Sequence, residues 1–289
     1  MTLPTMVADL DGENVLGWCR DIDAGPWSTL AVGERIAYPN QEMTAMMAAA
    51  AAITRRVRLA TSVVVLPMHP AIAMAKWAAT VDVLSGGRLT LGVGVGGRQE
   101  DYDATEAPAS RRHQRLDEQV AAMQQVWAGG RPKAEINPVG PTPVQAGGPP
   151  LWSGAFGPKA MTRAAVWAEG IVGFQTDPLA AEAANPIAVA LSKWEQAGRT
   201  DRPRMITTFW YGLGPDGEAR VRDYALRYLI VLGPDTAEAL AAKVTATSAD
   251  AVRAALDHLQ EAGYDEVLLV PTTGDRRELD ATAELVAAR

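Results

Sequence analysis

The stretch Arg88–Tyr102, RLTLGVGVGGRQEDY, is an apolar run rich in β-branched residues that ends in glycines and then in charge. Gly92, Gly94 and Gly97 satisfy the G-x-G-x-x-G spacing that cradles a dinucleotide, provided a helix opens on the third glycine and offers its N-terminus to the pyrophosphate. The following RQEDYDATEAPAS is polar and broken by Pro108, so the next helix is expected only near Ser110 and the dinucleotide reading fails. What remains is glycine at the end of a buried strand. It is either bare backbone that a flat ligand or its phosphate can approach, or close packing on a crowded sheet.

Other chemistries find little support. His69, His113 and His258 fall in separate elements, and no cysteine or carboxylate pattern has metal-ligand spacing, so no metal is expected. His69, in PMHP, reads as a loop residue before a helix with Pro70 at its start. Neither a G-x-S-x-G elbow nor a G-K-[ST] phosphate loop occurs. The densest basic cluster, RRHQR at Arg111–Arg115, sits beside Asp117 and Glu118 and reads as a solvated helix face. A formal charge of -7 argues against a nucleic-acid partner. Cys19 is the lone cysteine and is expected to pack on an amphipathic helix. With no leader-like segment and no apolar stretch long enough for a bilayer, a cytoplasmic, non-membrane protein is expected.

The elements that position the glycines alternate along the chain. Strand candidates are LPTMVAD, STLAVGE, VRLATSVVV, RLTLGVGV, PLWSGAF, GIVGFQ, RMITTFWYG and DEVLLVP, and alanine-rich helical patterns fall between them. Several strands are nearly continuous in apolar residues, as expected when helices cover a parallel sheet. Eight such units close a (β/α)8 TIM barrel, in which ligands bind at the strand C-termini. Gly129–Pro150, before the fifth strand, is rich in proline and glycine and predicts an irregular excursion or short hairpin. Extra helix is expected after the seventh strand, where DYALRYLIVL and TAEALAAKV show helical spacing.

ITRRVRLATSVVVLPMHPAIAMAKWAATVDVLSGGRLTLGVGVGGRQEDY and RLDEQVAAMQQVW together resemble the bacterial luciferase-like monooxygenase superfamily, most strongly its deazaflavin-dependent branch. PPLWSGAFGPKAMTRAA and LDHLQEAGYDEVLLVP extend the likeness over nearly the whole chain. The resemblance implies one luciferase-like TIM-barrel domain over residues 1–289, which binds coenzyme F-420 or FMN across the barrel mouth and moves a hydride to or from the ring. It also implies a cis peptide at Ser62–Val63, making a bulge of Thr61, Ser62 and Val63 behind the ring, and a homodimer, as in relatives.

On that basis the phosphate end of the cofactor is expected at Gly94, Gly96, Gly97 and Arg98, with Gly154, Ala155 and Gly157 ahead of a helix starting near Pro158. Arg98 is either a phosphate partner or paired with Glu100 or Asp101. Many relatives carry an acid followed by histidine after the second strand; here Glu34-Arg35 stands there, so histidine chemistry cannot be carried over. Glu34 is the candidate acid or base, or else a salt-bridge partner of Arg35. Arg35, Gln175, Trp210 and Tyr211 are candidates for the substrate pocket, the two aromatics alternatively being rim packing. The leading function is an F-420-dependent oxidoreductase acting on a small organic substrate. The alternatives are an FMN-dependent monooxygenase using O2 and a non-catalytic flavin- or deazaflavin-binding protein.

Overall fold

Every strand pairing among the described residues is parallel, as the continuous apolar runs require. The computed structural model describes all residues except Asp9, the last residue of the first expected strand, which lies outside the described residues. The strands are β1 (Thr29–Val32), β2 (Arg58–Thr61), β3 (Val64–Val65), β4 (Leu89–Gly94), β5 (Leu151–Ser153), β6 (Gly170–Phe174), β7 (Arg204–Tyr211) and β8 (Glu266–Pro271). β2 and β3 are one expected strand interrupted at Ser62–Val63, and both pair with β4. The N-terminal residues close the circle without forming a full strand. Thr2 N donates to Leu269 O (2.9 Å) and Leu3 N to Ala31 O (2.8 Å), which joins β8 to β1.

Helices α1 (Gly12–Ala24), α2 (Met43–Ile53), α3 (Ala71–Ser85), α4 (Gln99–Ala104), α5 (Arg112–Trp127), α6 (Pro158–Trp167), α7 (Asn185–Gln196), α8 (Gly217–Leu229), α9 (Pro234–Ala241), α10 (Ala249–Ala262) and α11 (Arg276–Ala287) surround the barrel. Side-chain caps set several starts: Asp11 accepts from Asn14 N, Glu42 from Thr44 N and Ala45 N, and Ser248 from Ala251 N. Strand alternation divides the core in two. Leu91, Val93, Phe209 and Tyr211 face the helices, while Ala31, Ala60, Trp152, Val172, Ile206 and Leu268 fill the barrel interior. Cys19 is fully buried among the helix-facing residues.

Two expectations are corrected here. A helix does open soon after the glycines, because Gln99–Ala104 forms α4. Its first turn carries Glu100 and Asp101, and Asp101 accepts from Ile36 N (3.2 Å) and Ala37 N (2.7 Å), so carboxylates occupy that end. Residues 129–150 contain no strand, so the hairpin option falls. Buried Asp82 holds this excursion by accepting from Val144 N (2.8 Å), Gln145 N (3.0 Å) and Gln145 Nε2 (2.7 Å).

The two barrel ends differ chemically. At the strand N-termini Glu266 accepts from Ser28 (3.0 Å), Thr29 and Arg204 (2.9 Å), and Arg58 donates to Thr90 (2.9 Å), which plugs that end with satisfied polar groups. The C-terminal end carries half-buried Gly33, Ser62, Val63, Val95, Gly96 and Gly154.

Candidate active site at the barrel rim

The ledge of the site is the break between β2 and β3. Ser62–Val63 is a cis peptide, as the resemblance implies. Thr61 is fully buried and its hydroxyl donates to Gly92 O (2.7 Å), while Ser62 N donates to Val32 O (2.8 Å), so the segment is tied to both neighbouring strands before it turns out.

The strand glycines serve this ledge. A Cβ on Gly92 would lie 2.1 Å from Thr61 O, one on Gly94 2.8 Å from Val63 Cγ2, and one on Gly154 3.3 Å from both Val63 methyls. Gly96 combines a φ of +61° with a Cβ position 2.8 Å from Val65 Cγ1. The space vacated is therefore filled by the protein itself, by Thr61 O at Gly92, Val63 at Gly94 and Gly154, and Val65 at Gly96, so at these positions the close-packing alternative holds rather than bare backbone offered to a ligand. Gly97 and Gly157 are different: each faces open space.

Glu34 lies directly beside the ledge and does not pair with Arg35. Its Oε2 accepts from Val65 N (2.6 Å) and its Oε1 meets His69 Nε2 (2.8 Å), with the carboxylate side chain 1% exposed. His69, read from sequence as a plain loop residue, is thus the partner of the candidate acid. The signal was available only in three dimensions, since 35 residues separate the two. Arg35 turns the other way, to Asp101 (2.8 Å) and Glu100 (2.6 Å).

Arg98 is engaged by the protein itself. It donates to Tyr228 O, its guanidinium lies 4.7 Å from the Tyr228 ring centroid, and Glu100 is 3.9 Å away. Tyr228 belongs to α8, so the added helix after β7 reaches across the rim to the β4 loop. Arg227 on the same helix donates to Tyr38 Oη (3.2 Å), which in turn donates to Met6 O (2.9 Å). Beneath α8 sits Trp210, with ring centroids 4.4 Å from Phe174, 5.1 Å from Tyr228 and 5.8 Å from Tyr224. Trp210 thus points inward beneath a helical cover.

Tyr211 does not share that position, and its assignment to the pocket is corrected. One residue further along β7 it faces the helices, and its hydroxyl accepts from Thr282 of α11 (3.1 Å). Burial pushes its phenol well above the usual tyrosine range. Gln175 donates to Tyr264 Oη (3.0 Å) and, with Ala155, Phe156, Gly157 and Phe174, borders a small cleft of about 60 Å³.

A larger cleft, about 150 Å³, opens at the ends of β4 and β5 between α5 and α6. Val95, Ser153 and Gly154 line its inner end, and His113, Asp117, Arg163 and Trp167 line its walls. Sequence reasoning missed His113 and Arg163 because the first lies in the cluster read as a solvated helix face and the second is a lone arginine in an alanine-rich helix. Asp117 pairs with Arg163 (2.9 Å) and accepts from Trp167 Nε1 (3.2 Å). Ala160, in the first turn of α6, also lines this cleft; the helix follows Gly157 without a side-chain cap, and the first intrahelical bond is Met161 N to Gly157 O. The amides of Lys159 and Ala160 are left for an acceptor, which is the local chemistry of an anion site.

Among the described residues no group of three or more His, Cys, Asp or Glu could hold a metal, and no helix is long and apolar enough to cross a membrane. An uncharacterized protein of Mycobacterium tuberculosis is 32% identical over 167 residues, covering 55% of this chain; the chain spans only 58% of that relative's length. Among solved structures, monooxygenase RslO1 from Streptomyces bottropensis superposes with a TM-score of 0.81 at 22% identity, covering 100% of this chain and 97% of the other. An F420-dependent secondary alcohol dehydrogenase bound to an F420-acetone adduct gives 0.78 at 18% identity, with 99% and 96% covered. The FMN-bound oxygenating constituent of 3,6-diketocamphane monooxygenase from Pseudomonas putida gives 0.71 at 15%, with 99% and 95% covered. The family model for luciferase-like monooxygenases matches residues 13–278. The chain belongs to the luciferase-like monooxygenase family.

Proposed function

We propose that this enzyme is an oxidoreductase that moves a hydride between coenzyme F-420 and a small organic substrate at the C-terminal rim of the barrel. The observation that carries the reading is the continuity of the ledge and the cleft. Val63 packs against Gly94 and Gly154, and Gly154 is also the inner wall of the cleft that ends on Arg163, His113 and the uncapped start of α6. A molecule with a flat ring and a phosphate-bearing tail matches that continuity. The residues present fit such a group, since half-buried Ser62 and Val63 offer a surface for a ring and the cleft offers the Arg163 guanidinium beside Ala160 in the first turn of uncapped α6.

When bound, the coenzyme would supply the hydride chemistry itself. The chain's part is positional. Thr61 and Glu34 hold the two sides of the ledge, through Gly92 O and Val65 N. Arg163, together with the amides of Lys159 and Ala160, would fix the phosphate, and the α8 cover with Trp210 would exclude water from the ring. Glu34 therefore acts through Val65 and His69 as a positioning residue.

An FMN-dependent monooxygenase is the second reading, favoured by the few residues between Gly154, which packs on Val63, and Pro158 at the uncapped start of α6, which suits a terminal phosphate. Titrating the protein separately with coenzyme F-420 and FMN, following fluorescence, tests both. Saturable F-420 binding is expected; tight FMN binding without an F-420 response would replace the first reading by the second. If F-420 binds but a broad panel of acceptors fails to oxidise its reduced form, a binding protein without turnover is the better description.

A further inference from the structure

The wall of the larger cleft holds an ionisable group that the proposed function leaves without a task. His113 sits in the first turn of α5, exposed at the cleft mouth, and Asp117 is one helical turn further on the same helix face. Asp117 would ordinarily be the counter-ion of such a histidine. Here its two oxygens serve Arg163 (2.9 Å) and Trp167 Nε1 (3.2 Å) from α6. Among the described residues His113 has no salt bridge to a carboxylate. The charged groups that face it are Arg112 and Asp117 on α5 and Arg163 on α6, so two cations surround an imidazole whose only nearby anion is already engaged. Partial burial, then Arg163 and Arg112, hold its pKa below the ordinary histidine range, with Asp117 opposing.

An anion seated between Arg163 and the uncapped start of α6 reverses that balance. It neutralises the cations that disfavour the imidazolium and gives a ring N–H an acceptor. We propose that His113 takes up a proton when a phosphate group enters this cleft, so that cofactor loading is coupled to pH. The inference rests on the proposed function for the identity of the anion and adds a regulation of that same site. The sign follows from linkage. The anion-bound pKa exceeds the free one, so affinity is greatest below the free value and falls as pH rises through the bound value. A displacement of one unit corresponds to about a tenfold change in affinity across that window.

The experiment separates this coupling from the choice of cofactor. The chain has three histidines, so each ring can be followed by NMR as pH is varied, with His113 assigned by its loss in His113→Gln. Sulfate serves as the first probe because it stays dianionic throughout the window and contributes no protons of its own. The His113 pKa is expected to rise by about one unit at saturating sulfate, with His69 and His258 unmoved. Arg163→Ala should reduce the rise by weakening the anion. FMN binding followed by calorimetry in buffers of different ionisation enthalpy should show proton uptake that His113→Gln removes; the variant also subtracts the ionisation of the FMN phosphate itself. A His113 pKa that is unchanged by sulfate, or that moves no more than that of His258, overturns the proposal. A normal sulfate response in a protein that binds neither coenzyme would sink the proposed function and leave the coupling standing.

Discussion

Removing the Glu34 carboxylate is the sharpest perturbation of the ledge. The group is 1% exposed and makes two short bonds, 2.6 Å from Val65 N and 2.8 Å to His69 Nε2. In Glu34→Ala the Val65 amide is left buried without an acceptor, which costs about 1–3 kcal/mol, and a charge-assisted bond worth roughly 1.5–3 kcal/mol is lost with it. A destabilisation of about 2.5–6 kcal/mol follows, large beside the ~5–15 kcal/mol by which folded domains are stable. Glu34→Gln keeps an acceptor for Val65 and should cost only about 1–2 kcal/mol. The assay is urea unfolding, read as a shift in midpoint at constant slope. A cycle with His69→Ala should show coupling of about 0.5–3 kcal/mol. If Glu34→Ala costs under about 0.5 kcal/mol, the size of an ordinary surface change, the carboxylate does not hold the ledge and the reasoning fails. A Glu34→Gln enzyme with native stability and no turnover would instead mean that the group exchanges protons with substrate.

Three further outcomes are expected. Arg98→Ala should loosen the α8 cover, seen as faster amide exchange over residues 217–241 with little change in the core strands; unchanged exchange there would mean that Arg98 does not restrain the helix. Burial pushes the Cys19 thiol up to about 12, so the native protein should react with a thiol reagent at pH 8 only as fast as it unfolds, and prompt labelling would contradict the packing. Although burial raises it, the Glu266 carboxyl is held below the usual range by hydrogen bonds from Thr29, Arg204 and Ser28. Its stabilising contribution is therefore present above the unfolded carboxylate value and lost as pH falls through the lower folded value. Glu266→Gln should flatten the acid limb of the stability profile, and an unchanged limb would remove that network from the account.

Much of the frame is legible in the sequence because strand alternation and continuous apolar runs have fixed periods. β4, β7 and β8 fall where their β-branched residues predict, and the extra helices after β7 follow the spacing in DYALRYLIVL and TAEALAAKV. The first expected strand is reduced in the structure to a bridge, with Thr2 and Leu3 joining β8 to β1 without forming a full strand. The helix at Gln99–Ala104 is not legible in the sequence because it spans only six residues, four of them Gln, Glu or Asp, with no apolar stripe at helical spacing. The candidate site was only half legible. The glycine positions are visible in one dimension, whereas their occupants, Thr61 O, Val63 and Val65, come from the neighbouring β2–β3 segment. The pairing of Glu34 with His69, the capture of Arg98 by Tyr228, and the meeting of His113 with Arg163 all join residues distant in sequence, so no local pattern records them. Tyr211 was misplaced by a single step along β7, which is all that separates the barrel interior from the helix layer.

The central claim is that ledge and cleft form one continuous cofactor site. A crystal structure of the protein with coenzyme F-420 measures this directly. The account predicts the ring against Ser62–Val63, the phosphate between Arg163 and the first turn of α6, and the α8 cover over the ring. Finding the coenzyme elsewhere on the barrel, or its phosphate away from the α5–α6 cleft, would contradict it.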